Sequence, residues 1–218
     1  MSMLVDNPTE LTTAATDVLL AIEAAICFAL LYLSRIRSFR YSLWLALFAT
    51  FTLSALLGAV AHAIRMQQAV NDLLWHPLYF LLGLVLTMLA LIGLHDRFGE
   101  PVARCWLPRL LPLPVLMVIV TWLGGGAFIW FVLFEAAVML FAVALYLGLA
   151  NRRVPGARMV LTGLAISIAA AIVQAAGPYT VEMFWSFDHN GIFHLVQAPG
   201  LVFFYLGARI VKPERSGA

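Results

Sequence analysis

The chain has 218 residues, 63% of them apolar and 11% charged, against about 45–50% and about 25% in ordinary soluble domains. Those proportions exclude a soluble globule, and without an internal repeat or a low-complexity run the chain reads neither as a solenoid nor as a disordered tail. The formal net charge is +2, and Lys212 is the single lysine among 13 basic residues.

A helix needs about 20 mostly apolar residues to cross a hydrocarbon core roughly 30 Å thick. Seven segments meet that test, at 11–33, 41–64, 72–94, 106–123, 127–150, 157–176 and 190–211. The expected fold is therefore all-α, one seven-helix transmembrane domain over residues 1–218. Met1 to Thr16 contains Asp6 and Glu10 but no base, so the first span is read as retained and not as a signal peptide. Asn71-Asp72 before an apolar run is a good helix start, and Asp72 is expected to cap the third span. Pro108, Pro112 and Pro114 crowd the fourth.

Alternating spans put 12 of the 13 basic residues on one side and leave Arg65 alone on the other. The positive-inside rule then places the N-terminus outside and the C-terminus in the cytoplasm. Arg-rich, Lys-poor composition suits a bacterial inner-membrane protein. Cys27 in mid-span and Cys105 in a loop imply no disulfide between them.

An ionisable side chain at membrane depth costs about 2.5–3.5 kcal/mol on insertion scales, so each one needs a reason. Thr12, Thr16 and Glu23 form one stripe of the first span; Ser54, Gly58 and His62 form another in the second, at i, i+4 and i+8. Asp72 and His76 share a face at the start of the third, and Glu135 lies in the fifth. Gln174 follows a row of small residues (Gly163, Ser167, Ala171, Ala175) in the sixth, and His194 and Gln197 follow Asp188-His189-Asn190 in the seventh. Chain direction then gathers His62, Asp72, His76, His189 and His194 in one outer layer. His95, beside Asp96 and Arg97, reads as a solvated loop residue, and Asp6, Glu10 and Asp17 as charges of a solvated N-terminal tail.

Imidazole is the commonest protein ligand for zinc, and a catalytic zinc takes three protein ligands and an open position for a water whose pKa falls to about 7. Each residue also has a structural reading. His62 and His76 can bond loop carbonyls, Asp188 and Asn190 can cap the seventh span, Glu23 and Glu135 can be protonated interhelical partners, and Gln174 and Gln197 can be interhelical glue.

The stretch Gly58-Ala59-Val60-Ala61-His62, Asp72 ten residues on, and His189-Asn190-Gly191-Ile192-Phe193-His194 resemble motifs of the CREST superfamily of seven-span proteins, the alkaline ceramidases and the adiponectin and progestin receptors. In that superfamily a Ser-x-x-x-His motif ends span two, an Asp opens span three and His-x-x-x-His lies in span seven. Here Gly58 stands at the family's Ser, with Ser54 one turn deeper as substitute, and Asn190 stands at its first span-seven His. His189 and His194 are i, i+5, about 140° apart on a regular helix, so both reach one metal only if the segment before Gly191 is irregular.

The resemblance implies a membrane-embedded hydrolase of a lipid amide or ester. Zinc would be held by His62, His189 and His194, Asp72 would serve its water, and Glu23, His76, Gln174, Asn190 and Gln197 would line the substrate site or support the ligands. Its partners would be a lipid or other amphiphile and the bilayer, with no nucleic acid. The alternative is a non-enzymatic seven-span receptor, sensor or structural protein that uses the same polar layer. A retinal protein is set aside because its Schiff base needs a Lys deep in a span, and Lys212 lies beyond the last one.

Overall fold

The computed structural model describes residues 3–125 and 128–210. Lys212, Arg215, Val211 at the end of the expected seventh span and Ala127 at the start of the fifth lie outside those residues. The described chain forms helices α1 (Pro8–Leu33), α2 (Phe39–Ala63), α3 (Gln68–Phe98), α4 (Glu100–Leu110), α5 (Leu113–Leu123), α6 (Ile129–Asn151) and α7 (Ala157–Ala175). A hairpin of β1 (Thr180–Glu182) and β2 (Ser186–Asp188) leads into α8 (His189–Arg209). Seven helical segments are long and apolar enough to cross a membrane, and α4 with α5, Glu100–Leu123, makes the fourth.

Local chemistry sets most of the ends. The Asn7 side chain accepts from the Thr9 amide and Pro8 stands in the first turn of α1, a cap followed by a residue with no amide hydrogen to lose. Ser38 caps α2 in the same way. The break between α4 and α5 falls at Leu111-Pro112, where the proline ring removes a helical donor and crowds the preceding turn.

The third helix is longer than its apolar run. It starts at Gln68, with Gln67 as an N-cap whose side chain makes no capping bond. Asp72 is therefore inside the helix and is not its cap, because Gln68-Ala69-Val70 contains no residue that stops a helix. At its far end α3 continues to Phe98 and ends on Gly99, at φ 92°, a conformation that glycine adopts without strain. His95 is consequently a half-buried helical residue beside the buried Asp96, and not a solvated loop residue.

At that end Arg40 of α2 donates through Nε to Asp96 Oδ1 at 2.7 Å and through its terminal nitrogens to the Gly207 and Ala208 carbonyls. Tyr146 of α6 donates to Asp96 Oδ2 at 2.9 Å. This buried network joins α2, α3, α6 and α8. At the other end the N-terminal segment lies along α2: the Val5 amide bonds the Ala63 carbonyl, the Arg65 amide bonds the Met3 carbonyl, and Arg65 pairs with Asp6.

Along one side, α7 and α8 meet through glycine. A methyl group on Gly163 would come within 2.8 Å of the Phe204 ring and 3.1 Å of the Gly200 carbonyl, and one on Gly207 would overlap Val160. Small residues allow such close approach where lipid gives no hydrophobic drive to association. Large apolar side chains such as Leu133 and Leu140 point outward, as a lipid-facing surface requires.

Candidate functional site

The buried face of α1 carries Thr13, Asp17, Leu20, Ala24, Cys27 and Leu31, spaced i, i+4, i+7, i+11, i+14 and i+18, the repeat of one helical stripe. Asp17 is thus part of the core, 5% exposed, and does not belong to a solvated tail. Because α1 already begins at Pro8, nine residues of helix precede it. Its carboxyl occupies the space beside Gly58 of α2: a Cβ there would lie 2.9 Å from Asp17 Oδ2 and 3.0 Å from Oδ1.

His194 of α8 completes this cluster. Its Nδ1 lies 2.9 Å from Thr16 Oγ1 and its Nε2 lies 3.4 Å from Asp17 Oδ1. The Thr16 hydroxyl has one hydrogen and two acceptors in reach, the Thr13 carbonyl and Nδ1. If the hydrogen goes to Nδ1, a neutral imidazole presents Nε2–H to Asp17; if it goes to Thr13, the Asp17–His194 pair must itself hold a proton. Asp17 Oδ2 has no hydrogen-bond partner in either case.

His62 of α2 bonds through Nδ1 to Glu10 Oε2 at 2.7 Å and sets its ring edge-on to Trp75. Glu10 is therefore a partner of the site and not a tail charge. Asp188 caps α8 through the Gly191 amide at 2.8 Å, and the same oxygen accepts from Thr13 at 2.7 Å. One carboxylate thus starts α8 and fixes it to α1. Gln174 donates to Asn190 at 3.0 Å, tying α7 to α8.

Of these groups Asp17, His62, His194, Gln174 and Asn190 line a cavity of about 1070 Å³ whose wall also includes Leu47, Phe51, Leu82, Leu86, Leu89 and Met139. His62, His76, His189, His194, Asp72, Ser54, Gln174, Asn190 and Gln197 all contribute to its lining. Glu23 does not; it lies off the buried stripe of α1 and is half-buried. Asp72 is exposed at the rim and accepts from Gln68, and the Ser54 hydroxyl donates to the Phe51 carbonyl in its own helix. Asp17, Glu10 and Thr13 were missed as site residues, although the stripe Leu20-Ala24-Cys27-Leu31, extended backwards, leads to Asp17 and Thr13.

Among the described residues no group of three His, Cys, Asp or Glu side chains is arranged to hold a metal ion. α8 is helical from His189 onward, which keeps His189 on a different face from His194, and the His189 ring packs on Tyr179. His62 Nδ1 faces Glu10, and the two ring nitrogens of His194 face Thr16 and Asp17. No chemical step is therefore derived through a metal.

Five buried side-chain polar atoms of described residues lack a hydrogen-bond partner, and four of them, Asp17 Oδ2, His76 Nδ1, Ser167 Oγ and His189 Nδ1, belong to residues that line this cavity. Buried polar groups are satisfied in the great majority of cases, so their concentration around one cavity is unusual. No curated protein and no solved structure matches the chain. A family model matches residues 12–213, nearly the full length, and the chain accordingly belongs to DUF6962, a family of unknown function.

Proposed function

We propose that the protein is a multi-pass membrane protein, N-terminus outside, that binds one amphiphilic molecule inside its helix bundle, as a receptor or sensor would. The observation that carries this reading is that four residues with an unpartnered buried polar atom, Asp17, His76, Ser167 and His189, line one cavity together with many apolar side chains. Such a cavity suits a polar head at the Asp17–His194 pair and an alkyl chain among the leucines. The orientation rests on charge: Arg65 stands alone at the N-terminal end of the bundle, and the other 10 arginines among the described residues stand at the opposite end.

The test is thermal unfolding of the purified protein in a maltoside detergent with twelve-carbon amphiphiles added. A ligand that binds only the folded state raises Tm by mass action. At least one amphiphile is expected to do so, and Ala55→Phe, which places a ring into the cavity, is expected to remove the effect. Tm unmoved by all of them, or moved equally in Ala55→Phe, overturns the proposal.

Hydrolysis of a lipid amide or ester is the second reading. It is favoured by one observation, the imidazole–carboxylate pair of His194 and Asp17 on the cavity wall, an arrangement that acts as a general base once Nδ1 is released from Thr16. Release of fatty acid from a fluorescent lipid amide or ester, lost in His194→Ala, would establish it. Metal analysis separates its two forms: near-stoichiometric zinc that disappears in His62→Ala and His194→Ala supports a metal-dependent hydrolase.

A further inference from the structure

We infer that the molecule held in this cavity carries a primary ammonium head, seated on Asp17. This rests on the reading of the cavity as an amphiphile site. Asp17 is 5% exposed and lines the cavity, its Oδ1 faces His194 Nε2 at 3.4 Å, and its Oδ2 has no hydrogen-bond partner among the described residues. Gly58 gives the carboxyl its room and offers no side chain to satisfy it.

The formal charges around the cavity have one sign. Asp17, Asp72 and Glu135 line it, and no Lys or Arg of the described residues does. The positive charge that His62 could add is offset by the Glu10 carboxylate bonded to its Nδ1. An anionic head would thus meet carboxylates in a poorly screened interior with no fixed cation to offset them. A cationic head meets the opposite.

Hydrogen-bond chemistry narrows the class further. An ammonium has three donors and no acceptor. The unpartnered Asp17 Oδ2 is an acceptor, and unprotonated imidazole nitrogens, such as Nδ1 of His76 and His189 in the Nε2–H tautomer, are acceptors too. A quaternary ammonium has the charge but no donor, and an alcohol has one donor and no charge. Of these three heads only the primary ammonium supplies both properties, and a charge-assisted bond to a carboxylate is about twice as strong as a neutral one. The apolar remainder of the cavity then takes a single alkyl chain.

The experiment compares dodecylammonium, dodecyltrimethylammonium, dodecanol and dodecanoate below their micellar concentrations, on wild type in maltoside at neutral pH, read as apparent Kd from thermal shift. Binding that survives in Ala55→Phe is subtracted as partition into the detergent. Dodecylammonium is expected to bind about tenfold tighter than dodecanol, the size of one charge-assisted contact, with dodecanoate weakest. Asp17→Asn is expected to reduce that preference to within about threefold, while Glu23→Gln, at a residue outside the cavity lining, keeps it. Equal or tighter binding of dodecanol, dodecanoate or the trimethylammonium compound by wild type overturns the ammonium assignment and leaves amphiphile binding standing. Loss of the preference in Glu23→Gln and not in Asp17→Asn overturns the seat on Asp17. If nothing binds, the underlying reading fails with it. Should Asp17→Asn not fold, the wild-type series alone decides.

Discussion

The carboxyl of Asp17 on α1 occupies the space where a side chain at Gly58 on α2 would begin, 2.9 Å from an ideal Cβ. Any side chain at position 58 must displace that carboxyl or be displaced by it. Gly58→Ala is expected to cost about 1–3 kcal/mol, the usual range for overpacking a filled interior. In an Asp17→Ala background the same substitution should cost much less, since its obstacle is gone. A double-mutant cycle on thermal stability measures this coupling; additive effects would show that the two positions do not share the space.

The Arg40–Asp96 pair is buried on both sides, with side chains 7% and 3% exposed. Removing one partner of a buried ion pair leaves an uncompensated charge and costs about 3–5 kcal/mol. Asp96→Ala is expected to fall in that range, while Tyr146→Phe, which removes one hydrogen bond to Asp96, should cost about 0.5–3 kcal/mol. Tm values in detergent rank the two variants.

Glycines in this bundle divide into those that a neighbour needs and those that it does not. Gly163→Leu and Gly207→Leu are expected to prevent α7 and α8 from meeting and to lower the yield of folded protein, because Phe204 and Val160 already fill the space. At Gly148 of α6 an added methyl group would meet nothing within 4 Å. Gly148→Ala is therefore expected to be neutral or to stabilise by up to about 1 kcal/mol through helix propensity. Size-exclusion profiles and Tm distinguish the two classes.

Asp188 serves two donors with one oxygen, the Gly191 amide and the Thr13 hydroxyl. Asp188→Ala should cost about 0.5–2 kcal/mol as a lost N-cap, and Asp188→Asn, which keeps the acceptor oxygen, should recover most of it. Amide hydrogen exchange over Asn190 to His194 is expected to speed up in the first variant and not in the second.

Much of this arrangement was legible in the sequence. The seven apolar runs became seven helical segments because length and composition leave a chain few other ways to satisfy its backbone in lipid. The Asp188 cap followed from local spacing. Helix ends were less visible: α3 extends past its apolar run into polar residues that favour helix as readily as loop, so Asp72 and His95 were misplaced. Asp17 was hidden for a similar reason, since an acid near a chain end ordinarily faces water. Pairwise fits were not legible, because the meeting of Asp17 with Gly58, or of His62 with Glu10, depends on the rotation of two helices about their axes.

The glycine seam between α7 and α8 also bears on how a molecule could reach the cavity. Backbone and side chain there are in contact with no intervening gap, so a lipid tail cannot slip between these two helices without first prising them apart. A ligand arriving sideways from the bilayer must pass between another pair of helices, and one arriving along the bundle from the end that holds His62 and Asp188 meets the N-terminal segment and the hairpin. Cross-linking α7 to α8 should therefore leave the rate of entry unchanged.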